Sequence, residues 1–439
     1  MLCFHPAMAG AEPLRERLPR PGVAAMLAGA ALCAAAVSWL FVVHLGATPS
    51  QRLVDLDVYR NAGRSVLGGR GVYSFRSHPP QQLPFTYPPF AALLAVPLAM
   101  VSFAVAGWIW TIGEVVTTAA IAAVAFRPVL RRCGRWWPVA VGVIAGALQQ
   151  MLPLRDEIKF GQVDELLVLM CAVDCVFLLR RRGGGALVGL ACAVKLTPGV
   201  FIVYLFVTGR RRAAATAIGV FVAASLLAAG LLPHDSKVFW TDALWHSERL
   251  RANNGTSNQS LRGMWLRAVH DGHLSTALWL VSAAVVAVVG FRRAAHTAAR
   301  GDELTGIALT GLLAVLLSPV SWIHHLAWLP LVLAAIVWTG RDRLRLLSAA
   351  TVFAFYVVKV PWIGAHWAHH SSGWALAAAR VVEDGYGLGA LALLVTLRAG
   401  SRVGSGDEAA ESVTVSHNST STTWGARRDK THHAPRAPG

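Results

Sequence analysis

Six short stretches of this sequence carry side chains that can activate a hydroxyl group or hold a phosphate. Their chemically active residues are, in chain order, Asp55, Asp57, Tyr59, Tyr87, Gln162, Lys195, Gln259, Arg262, His324 and His325. A carboxylate can take a proton from a hydroxyl as a general base. Lysine, arginine and histidine can hold a phosphate leaving group and stabilise its developing charge. These residue types therefore predict transfer of a group from a phosphate to a hydroxyl.

Most of these stretches also have a purely structural interpretation. Asp55 can be a solvated residue that follows a helix, and Arg262 can be an anchor at a membrane surface. The pair His324 and His325 can be interfacial polar residues beside Trp322. Lys195 is harder to explain in this way, because an ionisable residue between two apolar segments is costly and marks a functional site by default.

The composition predicts a membrane protein. Of the 439 residues, 55% are hydrophobic and 14% are charged, whereas soluble domains carry roughly 25% charged residues. The mean hydropathy is +0.51. Long apolar runs recur from Val23 to Leu394, and most approach the roughly 20 residues that cross a bilayer as a helix. We expect an all-α polytopic membrane protein with about 12 transmembrane helices.

The net charge of +17 is explained by topology rather than by nucleic-acid binding. A nucleic-acid-binding protein needs a basic face on a folded domain. Here the arginines form short clusters between apolar runs, which is the pattern of cytoplasmic loops. Nucleic acid is therefore excluded as a partner, and both termini are expected in the cytoplasm with the polar stretches outside the inner membrane.

Charge and length together give a topology. The predicted spans are residues 23–46, 104–126, 137–153, 165–180, 184–208 as a hairpin of two helices, 213–232, 273–291, 303–318, 325–339, 345–362 and 373–397. Segment 88–102 is too short to span and is expected to be interfacial or re-entrant. The hairpin is expected to break at residues 195–198, since Pro198 lacks the amide proton that a helix interior needs.

Three domains follow from this topology: a cytoplasmic N-terminus (1–22), a transmembrane domain (23–398) and a disordered cytoplasmic tail (399–439), whose composition is rich in Ser, Thr, Gly and Pro. None of the six cysteines forms a C-x-x-C pair. We expect neither a metal site nor a cofactor.

All six polar stretches fall on the external side of this topology or at its membrane boundary. Outside the cytoplasm there is no nucleotide supply, so an activated lipid phosphate is the expected donor. If residues 54–59 are strand-like or a loop, Asp55 and Asp57 point the same way and both reach one site.

The sequence resembles glycosyltransferase family 87, the actinobacterial membrane mannosyltransferases of the GT-C fold. The resemblance is carried by residues 55–59 (DLDVY), 69–73 (GRGVY), 85–89 (FTYPP), 161–163 (GQV), 195–198 (KLTP), 258–261 (NQSL) and 318–325 (SPVSWIHH). One departure is Asp164, where the family usually has Asn.

The resemblance implies an activity. Such enzymes are inverting, take mannose from polyprenyl-phosphate mannose and form α-1,2 linkages on phosphatidylinositol mannosides or on lipomannan and lipoarabinomannan. Asp55 is then the catalytic base, because it directly precedes the Leu-x-Val-Tyr pattern, and His324 and His325 bind the donor phosphate or the acceptor. The lipid bilayer, the donor and a glycolipid acceptor are the implied partners.

Two other functions remain open at this point. A transporter or flippase for a lipid-linked substrate also has broken helices and charges at a cavity, although it usually places ionisable residues near the bilayer midplane and has an inverted repeat. An enzyme of the same fold that uses another polyprenyl-phosphate sugar, or a ligase or phosphotransferase on another lipid-linked substrate, would share the location of the site and differ in its donor.

Overall fold

The computed structural model describes residues 12–46, 52–246, 253–269 and 272–399, without the side chains of 12–13 and 39–46. All of them belong to one compact unit, residues 1–400. The predicted disordered tail beyond residue 399 and the first 11 residues of the predicted N-terminal segment lie outside the described residues.

The described residues form helices and connecting turns, and none of them lies in a β-strand. The helices are α1 (Glu12–Arg15), α2 (Val23–Gly46), α3 (Val54–Leu67), α4 (Pro89–Leu94), α5 (Val96–Ala99), α6 (Phe103–Ala125), α7 (Arg127–Arg132), α8 (Trp137–Leu148), α9 (Leu152–Phe160), α10 (Asp164–Val173), α11 (Ala186–Val194), α12 (Val200–Val207), α13 (Arg211–Leu231), α14 (Pro233–Val238), α15 (Leu261–Ala268), α16 (Gly272–Ala299), α17 (Glu303–Leu317), α18 (Leu329–Val337), α19 (Arg343–Val357), α20 (Val360–His369), α21 (Gly373–Glu383) and α22 (Gly385–Thr396). Short 3₁₀ turns precede α8, α12 and α18.

Among the described residues, three helices are long and apolar enough to cross a membrane: α6, α13 and α16. The pairs α8–α9 and α19–α20 raise the number to five if each bent pair is one span, and shorter apolar helices accompany them. Large apolar side chains are exposed along these helices, for example Ile112 in α6 and Val281 in α16, which are 56% and 65% exposed. The all-helical membrane architecture is therefore supported.

The interior is built by helices that are apolar on all sides. Every residue of α17 from Glu303 to Leu316 is buried, as are Leu329–Ile336 of α18. Helices that are hydrophobic all round are found inside a bundle. These two helices flank residues 318–328 and so hold the histidine pair against the centre of the molecule.

The break predicted in segment 184–208 is present. Helix α11 ends at Val194, and Lys195 has an extended backbone with φ −147° and ψ 135°. A 3₁₀ turn over Thr197–Gly199, which contains Pro198, precedes α12. The short segment 88–102 is also interrupted, since it forms α4 and α5 and neither is long enough to span.

Two predicted spans are divided. The chain bends by 86° between Leu148 and Leu152, so α9 leaves the direction of α8 and runs along the site. The predicted span 373–397 is interrupted at Asp384. The interruption coincides with a long-range contact, in which Arg267 donates a 2.6 Å hydrogen bond to the Asp384 carboxylate.

The predicted loop 47–88 contains a helix, which corrects the expectation of a strand-like or irregular stretch. Helix α3 is amphipathic, with Leu56, Val58, Tyr59 and Ala62 buried. Apolar residues at this spacing form one face of a helix. A packed helix instead of a loop fixes the direction in which Asp55 points.

Candidate active site

A cavity of about 450 Å³ opens among α3, the segment 81–88, the break at Lys195 and the segment 318–325. Six of the predicted site residues line or border it in the described part of the chain: Asp55, Tyr87, Gln162, Lys195, His324 and His325. They come from segments that are far apart in sequence. The fold therefore brings together the acid, the amide and the cations that the sequence analysis singled out.

Helix α3 carries Asp55 to the cavity wall because it packs tightly against the end of α9. Gly161 ends α9 in the left-handed conformation, with φ +70°. A Cβ atom on Gly161 would lie 2.9 Å from the Cβ of Leu56 in α3. Only glycine both adopts this left-handed backbone conformation easily and leaves room for Leu56. Gln162 follows directly and is placed by this turn.

Gln162 connects Asp55 to two tyrosines. Its Oε1 accepts hydrogen bonds from Tyr59 Oη at 3.0 Å and from Tyr87 Oη at 3.1 Å. Its amide also hydrogen-bonds the Asp55 carboxylate. Trp110 Nε1 donates to the Gln162 backbone carbonyl at 3.0 Å. Tyr59 lies behind the cavity wall and reaches the site through Gln162 and Tyr87.

The environment of Asp55 suits a general base. Burial raises the pKa of Asp55 to about 7, while the hydrogen bond from Gln162 and the charge of Lys195 act in the opposite direction. A carboxyl with a pKa near the working pH combines the ionised form with useful basicity. Burial also raises the pKa of Tyr87 to about 12, so that this residue stays a neutral hydroxyl.

The Lys195 side chain is held by the carboxylate of Asp164, which lies outside the cavity lining. Its ammonium lies 2.8 and 2.7 Å from the two carboxylate oxygens of Asp164 and 3.1 Å from His325 Nε2. It also lies 5.4 Å from the centre of the Tyr87 ring. Lys195 lines the cavity and Asp164 does not. Asp164 therefore fixes the ammonium where a phosphate in the cavity can meet it.

The two histidines differ in their contacts. His325 Nε2 accepts a hydrogen bond from the Lys195 ammonium, whereas His324 packs edge-on against Phe160 and His325. His324 Nε2 is buried and has no hydrogen-bond partner among the described residues, and His324 borders the cavity. A buried nitrogen in this position is a ready hydrogen-bonding group for a bound ligand.

The same cluster is the group that could hold a metal ion in the described part of the chain. Asp164, His324 and His325 each offer a ligand atom within 4.8 Å of the others. The ammonium of Lys195 already lies between Asp164 and His325, at hydrogen-bond distance from both. A cation is thus built into the cluster, and the absence of a metal from the reaction stays a prediction.

Residues 258–260 clamp the histidine segment and do not line the cavity. Asn258 Oδ1 accepts from the backbone amide of Ser321 at 2.9 Å. The backbone N–H of Gln259 donates a hydrogen bond to the backbone carbonyl of Ser321 at 2.7 Å. The Gln259 side chain is fully buried and bonds Thr256, Glu383 and Gly387. This stretch therefore positions residues 318–325 from outside the site.

Arg262 and Asp57 also lie apart from the cavity. The guanidinium of Arg262 stacks over Trp279, with its carbon 5.2 Å from the ring centre. Asp57 accepts a 2.9 Å hydrogen bond from His78 Nδ1. Residues two apart in a helix face nearly opposite sides, so the expectation that Asp55 and Asp57 point the same way is wrong.

The cavity also contains residues that the sequence analysis did not select. Thr86, Thr197 and Trp322 lie within stretches it quoted and line the wall, and His246 comes from the large loop. His246 was missed because a single histidine in a polar loop carries no spacing signal. Trp110 was missed because it lies in the apolar run of α6 and its contact to Gln162 is long-range.

These features describe an all-helical protein with apolar helices long enough to cross a membrane, in which a buried carboxylate and a lysine held by Asp164 line one cavity. The family model of glycosyltransferase family 87 matches residues 85–319 of this chain. The chain belongs to glycosyltransferase family 87.

Two groups of curated relatives match most of the chain. A polyprenol-phosphate-mannose-dependent alpha-(1-2)-phosphatidylinositol mannoside mannosyltransferase of Mycobacterium tuberculosis is 32% identical over 74% of this chain and 79% of its own length. A polyprenol-phosphate-mannose-dependent alpha-(1-2)-phosphatidylinositol pentamannoside mannosyltransferase of Mycolicibacterium smegmatis is 31% identical over 75% of this chain and 80% of its own length. No solved structure matches the chain significantly.

Proposed function

We propose that this protein is an inverting mannosyltransferase that moves mannose from polyprenyl-phosphate mannose to a mannosylated phosphatidylinositol glycolipid, with an α-1,2 linkage. The observation that carries the proposal is the cavity that holds both Asp55, backed by Gln162, and Lys195, fixed by Asp164 and His325. The names of the relatives supply the donor, the acceptor and the linkage.

In the proposed reaction, Asp55 takes the proton from the 2-hydroxyl of an acceptor mannose. The resulting oxygen forms a bond to the anomeric carbon of the donor mannose from the face opposite the phosphate. The bond from that carbon to the phosphate oxygen breaks, and its electron pair leaves with polyprenyl phosphate. The reaction needs no other reactant, since the donor is already activated.

Lys195 and the histidines act on the leaving group in this proposal. A phosphate in the cavity gains charge at its bridging oxygen as the glycosidic bond breaks, and a preorganised ammonium stabilises that charge. Asp164 is a positioning residue, because it contacts Lys195 from behind the wall. The proposed direct contacts are thus Asp55, Tyr87, Lys195, His324 and His325. Gln162 lies beside them in the cavity wall, and Tyr59 lies behind that wall.

We place the protein in the inner membrane as a GT-C type enzyme with 12 crossings, both termini in the cytoplasm and the cavity open to the periplasm. We assign these crossings to the three long helices, the two bent pairs and the shorter apolar helices of the described residues. The arginine clusters between them support the orientation. The bilayer then presents both lipid substrates to the cavity, and nucleic acid is not a partner.

The activity is tested by incubating membranes that contain the protein with radiolabelled polyprenyl-phosphate mannose and phosphatidylinositol mannosides. We expect a labelled product that is absent from membranes without the protein and from which an α-1,2-mannosidase releases the label. Transfer from a polyprenyl-phosphate arabinose donor instead would replace the proposed donor. Movement of the lipid-linked sugar between leaflets without a new linkage would support the transporter.

The rate of transfer should depend on pH through Asp55. Because this carboxyl has a pKa of about 7 and acts in its ionised form, the rate should be constant above that pH and fall as the pH drops below it. Initial rates under kcat conditions between about pH 5.5 and 9 measure this. A rate that stays constant down to the ordinary range of a carboxyl would contradict the assignment.

Replacing Gln162 with Leu should shift the pH dependence of the transfer rate to higher pH. The amide hydrogen bond from Gln162 lowers the Asp55 pKa, so its loss raises the pKa and leaves less ionised carboxylate at neutral pH. The variant should therefore be more impaired at low pH than at high pH. An equal loss of rate across the whole profile would show that Gln162 acts only by packing.

A further inference from the structure

A second cavity of about 460 Å³ lies on the other side of α3 from the active site. Its charged lining is mainly basic: Arg52, Arg60, Arg64 and His78, with Asp57 as the carboxylate. We call this cavity the basic groove. Three guanidinium groups against one carboxylate give the groove an excess of positive charge, and the fork of an arginine matches the oxygens of a phosphate.

The basic groove adjoins the active site directly. Val54 and Gln81 line both cavities. The first turn of α3 thus separates them, with Asp55 on the active-site side and Asp57 on the groove side. A molecule that places a sugar hydroxyl at Asp55 can therefore continue past Val54 and Gln81 into the groove.

Arg60 makes the floor of the groove rigid and cationic. It is 2% exposed, and its Nε donates to the Leu98 carbonyl at 2.9 Å while Nη2 donates to the Val101 carbonyl. Its guanidinium carbon lies 5.4 Å from the centre of the Phe103 ring. A buried arginine that is held by carbonyl groups keeps its full positive charge.

The surroundings of the groove fit the headgroup level of a bilayer. Phe103, which lines it, is the first residue of the long apolar helix α6. Met100 just before this helix is 74% exposed, and Trp108 within it is 49% exposed. Exposed apolar side chains next to a basic cavity suit a ligand with a charged head and acyl chains.

We infer that the basic groove binds the phosphodiester of the glycolipid acceptor while the terminal sugar of that lipid lies at Asp55. The inference rests on the proposed function and names how the acceptor is recognised. The groove adjoins the wall that carries the base, where the acceptor hydroxyl must be. The donor phosphate belongs at Lys195 and the histidines, which lie in the other cavity.

The test compares two acceptors with the variant Arg64→Gln, because Arg64 is exposed and lines the groove. One acceptor is a phosphatidylinositol mannoside, and the other is an alkyl α-mannoside without phosphate. The variant should raise the KM for the phospholipid acceptor about tenfold with kcat and the donor KM unchanged. The KM for the alkyl mannoside should not change.

The matched control is Arg182→Gln, which removes one exposed arginine from a cluster far from the site in sequence and should leave all constants unchanged. Equal KM values for the phospholipid acceptor in the unmutated protein and in Arg64→Gln would overturn the inference. So would an equal rise of KM for both acceptors, since the alkyl mannoside has no phosphate.

A third arm distinguishes the acceptor phosphate from other anionic lipids. Transfer to the alkyl mannoside is measured in vesicles of neutral lipid with and without phosphatidylglycerol. A stimulation by phosphatidylglycerol that Arg64→Gln abolishes would assign the groove to bulk anionic lipid and overturn the inference. Absence of transfer to both acceptors by the unmutated protein would instead refute the proposed function itself.

Discussion

Membranes that contain the Asp55→Asn variant should show no mannosyl transfer above background, with the protein present at its normal amount. Asparagine has nearly the shape of aspartate and can still contact Gln162, so α3 keeps its packing. It cannot accept the proton of the acceptor hydroxyl. Loss of a general base costs about 10²–10⁴ in rate, which exceeds the range of a standard transfer assay in membranes.

The matched control is Asp57→Asn, which changes the next acid in the same helix. Its carboxylate contacts His78 on the side away from the active site. We expect kcat to stay within about threefold of the unmutated protein, because the lost contact is exposed and such pairs contribute little. Similar losses of kcat in both variants would show that α3 itself has been disturbed and that Asp55 has no special role.

Replacing Lys195 with Met should lower kcat by about 10²–10³, the cost of removing one preorganised group that stabilises a leaving oxygen. It should also destabilise the protein. The ammonium contacts both oxygens of the Asp164 carboxylate, and removal of one partner of a buried pair leaves the other charge uncompensated, at a cost of about 3–5 kcal/mol.

The double variant Lys195→Met/Asp164→Asn separates these two effects. It removes the uncompensated carboxylate and should recover most of the lost stability in a thermal unfolding measurement in detergent, while transfer stays as low as in the single variant. Recovery of transfer together with stability would show that Lys195 is only a structural partner of Asp164. The transfer rate of the single variant Asp164→Asn measures how much catalysis depends on the position of the Lys195 ammonium.

The helices and the break at Lys195 were predictable because they depend on local sequence. Apolar runs of sufficient length become helices in any membrane protein, and Pro198 prevents a continuous helix wherever the segment lies. The interruption at Asp384 was not predictable in this way. It coincides with an ion pair to Arg267, which lies 117 residues earlier in the chain.

The site was predictable to the extent that its residue types are unusual in their surroundings. Lys195 and His325 were selected on this ground and contact each other. The direction of Asp57 was predicted wrongly, because the Pro- and Gly-rich composition of residues 47–88 concealed the amphipathic pattern of α3. Gln259 bonds Thr256, Glu383 and Gly387 and does not line the cavity, and a motif alone does not reveal where the fold places a side chain.

The clamp between residues 258–260 and Ser321 has a consequence for the synthesis of the protein. The lysine and the histidine that meet in the cavity are 130 residues apart, and the segment with the histidine is held by residues that leave the ribosome before it. Gln259 is bonded in turn to Gly387 in the first turn of α22, the last helix of the described residues. A growing chain that has already inserted Asp55 and Lys195 therefore lacks a complete cavity until α21 and α22, which bond Gln259, have been inserted. Lipid-linked sugars in the membrane meet a working site only when insertion is finished.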